Sequence, residues 1–401
     1  MSDPRSMAAG VRRTASPEPL PTDSEPALIE LLREEIEATG PLTFARFMAV
    51  ALYDPEHGYY RVAPERPTRS GDFLTAPETH PIFGAAVSRQ VHEVWERLGR
   101  PVPFVLREYG AGSGTLAATI LAGLQADGSA LAKALVYDPI EINAHRQAEI
   151  TERPDLPVLA SPSGQGGGRA KFDGVVLANE FLDALPVHRI ELRGGRLLER
   201  FVDWDEPTGR LVERGAAPST PALAERLVAD GVSLVDGQVS EICLGLDPWL
   251  AEVAEVLDRG LVLVLDYGHQ APALYAPTRT GGSLRAYADQ RAHADPFIAV
   301  GRQDLTAHVD LTALEAGAAR HDLALLGDVS QAEFLIGCGL EVLLDRIRSD
   351  PATQMAEWLA VRSAVGRFLD PAALGGFRAV LFGRAISTPL RGLEPVRHSP
   401  Y

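Results

Sequence analysis

Sulfur chemistry is almost missing from this chain of 401 residues, which holds two cysteines, Cys243 and Cys338, far apart and with no Cys-x-x-Cys pair. That excludes a disulfide framework and a cysteine-built zinc site, no metal site is expected, and a reducing compartment fits. Basic charge is scarce too: 38 Lys and Arg stand against 54 Asp and Glu, a net charge of −16. Such a surface disfavours phosphate backbones, so nucleic acid is not expected as a partner, whereas a cationic partner suits it. Long apolar runs are lacking, since the stretch Leu261 to Leu265 has the length of a strand and not of a membrane span. The first 26 residues have no apolar signal segment, and Asp3, Glu18, Asp23 and Glu25 offset Arg5, Arg12 and Arg13. Residues 1–26 therefore read as a disordered tail and the protein as cytoplasmic.

What the chain does have is alternation of strand and helix. Ala27, Leu28, Leu31, Leu32 and Ile36 recur at helical spacing before Gly40-Pro41, Thr43 can cap a second helix, and a third is expected from Pro81 to Leu98. From Phe104 the order becomes that of a parallel α/β sheet: strands at 104–109, 134–140, 174–178 and 261–265, with helices at 115–125 and 248–257. A hairpin is expected around Val187 to Val202, loop-rich chain over 281–310, and helices over 312–321, 330–347 and 353–368 before a last strand at 377–386. The division that follows is a helical N-terminal extension at 27–100, a Rossmann-like core at 101–270, an inserted helical and loop acceptor region at 271–370, and a final core strand and tail at 371–401.

The segment Phe104-Val-Leu-Arg-Glu-Tyr-Gly-Ala-Gly-Ser-Gly-Thr115 carries the strongest signal. Gly110, Gly112 and Gly114 let the backbone turn tightly against a ligand, and the helix start behind them offers free N–H groups. The frame Gly112, Gly114, Ala117 satisfies a dinucleotide fingerprint, so an NAD-dependent oxidoreductase stays open on spacing alone. Glu108 argues for another ligand: a pyrophosphate gains nothing from an adjacent carboxylate, while the sulfonium of S-adenosylmethionine can use one. Glu141, after the second strand, stands where a doubly wound fold places the acid that accepts two ribose hydroxyls.

A second signal is Val175-Val-Leu-Ala-Asn-Glu-Phe-Leu-Asp-Ala-Leu-Pro-Val-His188. Asn179, Glu180 and Asp183 fall at the carboxyl end of a strand, where open α/β sheets bind ligands. Two carboxylates there suit a guanidinium, and Glu180 and Asp183 are assigned to hold an arginine acceptor and steer its nitrogen; helix capping is the other reading of Asp183. His57 and the tyrosines around it are candidates for an acceptor pocket, Asp266 for site support or capping, and the His308, Asp310 pair for structural polar contacts.

Leu42-Thr-Phe-Ala-Arg-Phe-Met48, Tyr53-Asp-Pro-Glu-His-Gly-Tyr-Tyr60, Gly71-Asp-Phe-Leu-Thr-Ala-Pro-Glu78, the glycine turn, Ala178 to Val187, Leu265-Asp-Tyr-Gly268, Gly282-Ser-Leu-Arg-Ala-Tyr287 and Asp304-Leu-Thr-Ala-His-Val-Asp310 occur in this order. As a set they resemble the MidA-like family, the mitochondrial complex I assembly-factor methyltransferases and their bacterial relatives. The resemblance implies a class I methyltransferase fold with a seven-stranded sheet, S-adenosylmethionine as cofactor, and a protein arginine as acceptor, with a respiratory complex I subunit as one such partner. It assigns Gly110, Gly112 and Gly114 to the methionine and ribose part, Glu141 to the ribose, and Gly71, Asp72, Phe73 and Thr75 to a loop over the cofactor. A non-catalytic cofactor-binding assembly factor and a homodimer both remain open.

Overall fold

Residues 23–61, 75–159, 171–288 and 291–394 are described by the structure, a computed structural model. Helices α1 (Pro26–Thr39), α2 (Phe44–Tyr53) and α3 (Ile82–Arg97) come first. Thr43 caps α2 through the Arg46 N–H, as its position before an apolar run requires. Strand β1 (Phe104–Tyr109), helix α4 (Thr115–Ala126), β2 (Leu135–Ile140), α5 (Ala144–Glu152) and β3 (Phe172–Asn179) follow.

After β3 the chain leaves the sheet for β4 (His188–Arg193), β5 (Arg196–Asp205), β6 (Arg210–Ala216) and β7 (Val239–Ile242). It returns through α6 (Leu246–Val256) to β8 (Leu257–Asp266). A second excursion holds β9 (Arg285–Ala288), β10 (Arg291–His293) and β11 (Asp304–Thr306). Then come α7 (Leu311–Arg320), β12 (Ala324–Ser330), α8 (Gln331–Gly337), α9 (Leu340–Ser349), α10 (Met355–Leu369) and β13 (Arg378–Arg384).

The central sheet runs β12-β13-β8-β3-β1-β2, parallel except that β13 is antiparallel to both of its neighbours. Strands β1, β3 and β8 each hold a short buried apolar run because helices cover both faces. The chain steps from β1 outward to β2 and then back across to β3, so the order reverses beside β1 and opens a crevice at the strands' carboxyl ends. Between β1 and β2 the Arg107 guanidinium donates to Asp138 at 2.7 Å with both side chains buried, a pairing that compensates two charges otherwise costly to bury. Pro139 is tolerated inside β2 because β2 is the outermost strand on that side.

Several expectations are corrected. Six strands, not seven, form this sheet among the described residues; beyond β2 there is only a parallel bridge from Tyr137 to Val158. The expected hairpin is part of a five-stranded antiparallel sheet that includes Leu42–Thr43, against which α1 and α2 pack. Residues 281–310 hold the three-stranded β9–β11 sheet where loop was expected. Residues 311–369, assigned above to an inserted region, give β12 and helices to the central sheet's flank, and the helix expected over 330–347 breaks at Gly339, whose φ is +81°. The loop at 161–168 lies outside the described residues.

Helices α3 and α4 cross closely on glycine. A Cβ on Gly123 would lie 2.6 Å from Ser88 Oγ and 2.9 Å from Ala85 Cα, and one on Gly84 would collide with Thr119. Gly123→Val should therefore destabilise the fold by about 1–3 kcal/mol through overpacking. Thermal unfolding checks this, and an unchanged midpoint would contradict it.

Candidate active site

The glycine turn lies at the crevice opened by the strand-order reversal. Gly110, Gly112 and Gly114 have φ of +67°, +57° and +70°, a region that side-chain-bearing residues adopt at a cost. Their roles differ. A Cβ on Gly114 would meet Leu156 and Ile150 in the core, whereas one on Gly112, which lines the cavity, would meet the Arg146 guanidinium at 3.6 Å and the Gly110 carbonyl at 4.0 Å. The Gly112 N–H donates to Glu141 Oε2 at 2.7 Å, and the other Glu141 oxygen accepts from the Asn143 N–H at 2.8 Å. Glu141 is thus fixed at the end of β2, facing the turn.

Glu108 is buried beneath the turn and accepts from the Tyr137 hydroxyl at 2.6 Å. Burial pushes its pKa up to about 8 against that hydrogen bond, so the ligand-free protein holds a protonated Glu108 at neutral pH. A neutral Glu108 repels a pyrophosphate less than the fixed anion expected from sequence would.

Across the crevice, β3 ends in Asn179 and Glu180, the latter at φ +49°. Glu180 Oε1 accepts from the Ala76 N–H at 3.1 Å and from Asn179 Nδ2 at 3.3 Å. Burial raises Glu180 to about 8, with Asp183 and Glu78 adding repulsion. Asp266, at the end of β8, accepts the backbone N–H groups of Phe181, Leu182 and Asp183 at 3.2, 2.9 and 3.3 Å. Asp266 is therefore the cap of this turn, and Asp183 is one of the residues capped. That leaves the Asp183 carboxylate to take the Tyr267 hydroxyl and face the cavity, its pKa raised well above normal by burial and by Asp266.

A cavity of about 1000 Å³ is lined by Gly110, Gly112, Glu108 and Glu141 together with Glu180, Asp183 and Asp304. Tyr53, Tyr60 and Tyr287 line it, and Tyr60 donates to Asp304 at 2.6 Å while Tyr53 donates to the Ala184 carbonyl at 2.7 Å. His57 does not line it. Thr75 does; Gly71, Asp72 and Phe73 lie outside the described residues. Asp304 and Tyr267 were given no role from sequence, although each lies within an ordered motif that carried the family resemblance. Asp310 caps α7 through the Ala313 N–H, and no group of three His, Cys, Asp or Glu able to hold a metal occurs among the described residues.

The residues fit S-adenosylmethionine. Asn179 Oδ1 and Asp183 Oδ1 are buried without hydrogen-bond partners, the glycines leave the turn open, and Glu141 presents its carboxylate beside Gly112. Sheet, switch point and strand-end carboxylates together define a class I S-adenosylmethionine-dependent methyltransferase.

Comparison with known proteins narrows this. Residues 86–329 match the sequence profile of a family of S-adenosyl-L-methionine-dependent methyltransferases. The chain is 29% identical to the mitochondrial protein arginine methyltransferase NDUFAF7 homolog of Drosophila melanogaster, over 92% of this chain and 88% of that one. It is 30% identical to mitochondrial protein arginine methyltransferase NDUFAF7 of Homo sapiens, over 79% and 74%. A crystal structure from Burkholderia thailandensis bound to S-adenosyl-homocysteine superposes with a TM-score of 0.80 at 31% identity, covering 92% of this chain and 95% of that one. The chain belongs to this methyltransferase family. No helix among the described residues is long and apolar enough to cross a membrane.

Gly112→Val should abolish cofactor binding, because a branched side chain is strained at φ +57° and would project into the cavity. Calorimetry with S-adenosylmethionine, beside circular dichroism to confirm the fold, tests this; a folded variant with wild-type affinity would place the ligand elsewhere.

Proposed function

We propose that the chain transfers the methyl group to an arginine side chain of a protein. The observation that carries this reading is the presence of three carboxylates, Glu180, Asp183 and Asp304, in the lining of the same cavity as the glycine turn. S-adenosylmethionine, when bound, supplies an electrophilic methyl on a positive sulfur. Gly110, Gly112, Glu141 and Asn179 would hold it, with Glu108 and Thr75 beside it, while Gly114, assigned to the cofactor from sequence, packs against Leu156 and Ile150 and does not line the cavity.

The remaining work is alignment and charge. A guanidinium stays protonated in water, and its positive charge is spread over three nitrogens. Glu180 and Asp183 would accept hydrogen bonds from two of them, localise the charge there, and leave the third nitrogen's electron density for the methyl carbon. As the new N–C bond forms and the C–S bond breaks, that nitrogen must lose a proton, and a carboxylate with a raised pKa takes it. Tyr53, Tyr60 and Tyr287 would wall the side chain off from water.

The names of the Drosophila and human relatives support the acceptor class. The resemblance to complex I assembly-factor methyltransferases makes a complex I subunit the acceptor to test first. A cytoplasmic setting belongs to the same reading, in keeping with the two free thiols Cys243 and Cys338.

Transfer of radiolabelled methyl into host lysate, with arginine recovered after hydrolysis, is the direct test. Wild type should label a protein. Glu180→Gln and Asp183→Asn should each lower kcat/KM about 10²–10³-fold, the scale for removing one transition-state contact, while still binding cofactor. Cofactor binding with no labelled protein in the presence of natural partners would overturn the reading.

The raised pKa values set the pH dependence. Glu180 is protonated in the ligand-free fold below about 8 and must ionise to hold a guanidinium, so kcat/KM should rise as pH climbs towards 8. Stability of the ligand-free protein has the opposite sign: it is fullest below the ordinary value of 4.5 and is lost as pH rises through about 8. Denaturant titrations across that window, beside the rate profile, check both slopes.

A further inference from the structure

Beside the carboxylates of the cavity lies a cluster of opposite sign. Strand β9 pairs antiparallel with β11, setting Tyr287 opposite Asp304 and Arg285 opposite Thr306. Directly opposed residues, and residues two apart on one strand, share a face of the sheet. Tyr287, Asp304 and Thr306 all line the cavity, so Arg285 stands on the cavity's own face of the ladder, one step outward and exposed.

Around it stand Arg279, His269 and His308. Arg279 Nη2 lies 2.7 Å from His269 Nε2, and the rings of His269 and His308 are 5.2 Å apart. Because arginine can only donate, His269 Nε2 accepts, and the proton of that neutral ring sits on Nδ1. The His308 ring meets the Tyr267 ring at 5.3 Å, and Tyr267 in turn bonds Asp183. The cluster thus reaches Asp183 through one side chain.

Neither guanidinium has a carboxylate within ion-pair distance among the described residues. Arg285 reaches only the Leu284 carbonyl and Arg279 only His269. Arg302, also at the cavity, by contrast pairs with Glu25 at 3.0 Å. His308 Nδ1 is buried with no partner. Burial, aided by the charges of His269, Arg279 and Arg285, holds His308 down to about 3. A carboxylate would meet two forked donors here and relieve their mutual repulsion.

We propose that Arg279 and Arg285, flanked by His269 and His308, form a carboxylate-binding subsite that grips an acidic side chain of the acceptor protein near the residue to be methylated. The inference rests on the reading of the cavity as a protein-acceptor site. It adds that the acceptor is recognised as a paired signal, a cation in the chamber and an anion at its rim.

The test uses the full chain with S-adenosylhomocysteine and fluorescein-labelled glycine-rich peptides carrying one arginine, with glutamate placed two, three or four residues to either side. Fluorescence anisotropy compares each with its glutamine counterpart, and with a peptide in which glutamine replaces the arginine. At one spacing the glutamate peptide should bind about tenfold more tightly than its glutamine counterpart, the scale of one charge-assisted pair. Arg285→Gln and Arg279→Gln should each shrink that ratio, the double variant should bring it to one, and Arg285→Lys should keep part of it.

No glutamate preference at any spacing, or a preference that survives in the double variant, overturns the subsite. The preference for arginine over glutamine is read separately: its loss with the glutamate preference intact would sink the arginine reading and leave the subsite standing. A phosphoserine peptide that binds where its glutamate counterpart does not would reassign the pair to phosphate and overturn the carboxylate proposal. Arg285 is exposed, so its single variant keeps the test decisive even if Arg279→Gln fails to fold.

Discussion

The acceptor side of this molecule hangs on one carboxylate. Asp266 takes three consecutive backbone N–H groups, from Phe181 to Asp183, and by doing so fixes the sharp exit of the chain from β3. That exit places Glu180 at positive φ and turns the Asp183 side chain towards Tyr267 and the cavity. Burial raises Asp266 to about 7, with the Glu180 charge adding to the rise, while hydrogen bonds from the Tyr267, Asp183 and Leu182 N–H groups pull the other way. Few side chains could replace it, since only a carboxylate oxygen accepts so many donors without offering one of its own. The two carboxylates that face the ligand are therefore positioned by a third that does not.

The same crowding explains the electrostatics. Three acids, Glu180, Asp183 and Asp266, are gathered where burial and mutual repulsion both disfavour ionisation, with the Asp304 charge adding to the repulsion on Asp183. The ligand-free site is in that sense destabilised, and a bound cation relieves it, so arrival of a positive group and release of protons are linked events. Strain of this kind is common at ligand sites, where the surrounding fold supports it.

Legibility in the sequence followed the physics of each element. β1, β3 and β8 are legible because each holds a short buried apolar run, Phe104 to Leu106, Val175 to Ala178 and Leu261 to Leu265, and the glycines after β1 admit few alternatives. β12 was missed because Ala324–Ser330 is an edge strand of mixed polarity with a glycine, a pattern close to that of loop. The β9–β11 sheet was missed for a related reason, its strands being three or four residues long. Among the cavity-lining residues, Glu141 and Asp183 are legible because strand ends point to a crevice. Asp304 is not: it enters from a distant excursion of the chain, and its link to Tyr60 spans 244 positions. Asp266 was weighed evenly between two roles, because only the coordinates show which N–H groups it accepts.

One hydrogen-bonded path links the glycine turn to Asp304. It runs from the Gly112 N–H to Glu141, from Glu141 to Asn143, from the Asn143 side chain to the Tyr60 carbonyl, and from the Tyr60 hydroxyl to Asp304. Asn143 is its hinge, since its oxygen also caps α5 through the N–H groups of His145 and Arg146. The start of one helix is thereby a shared abutment for the glycine turn and for Asp304, and the span between them is gauged by the protein's own frame.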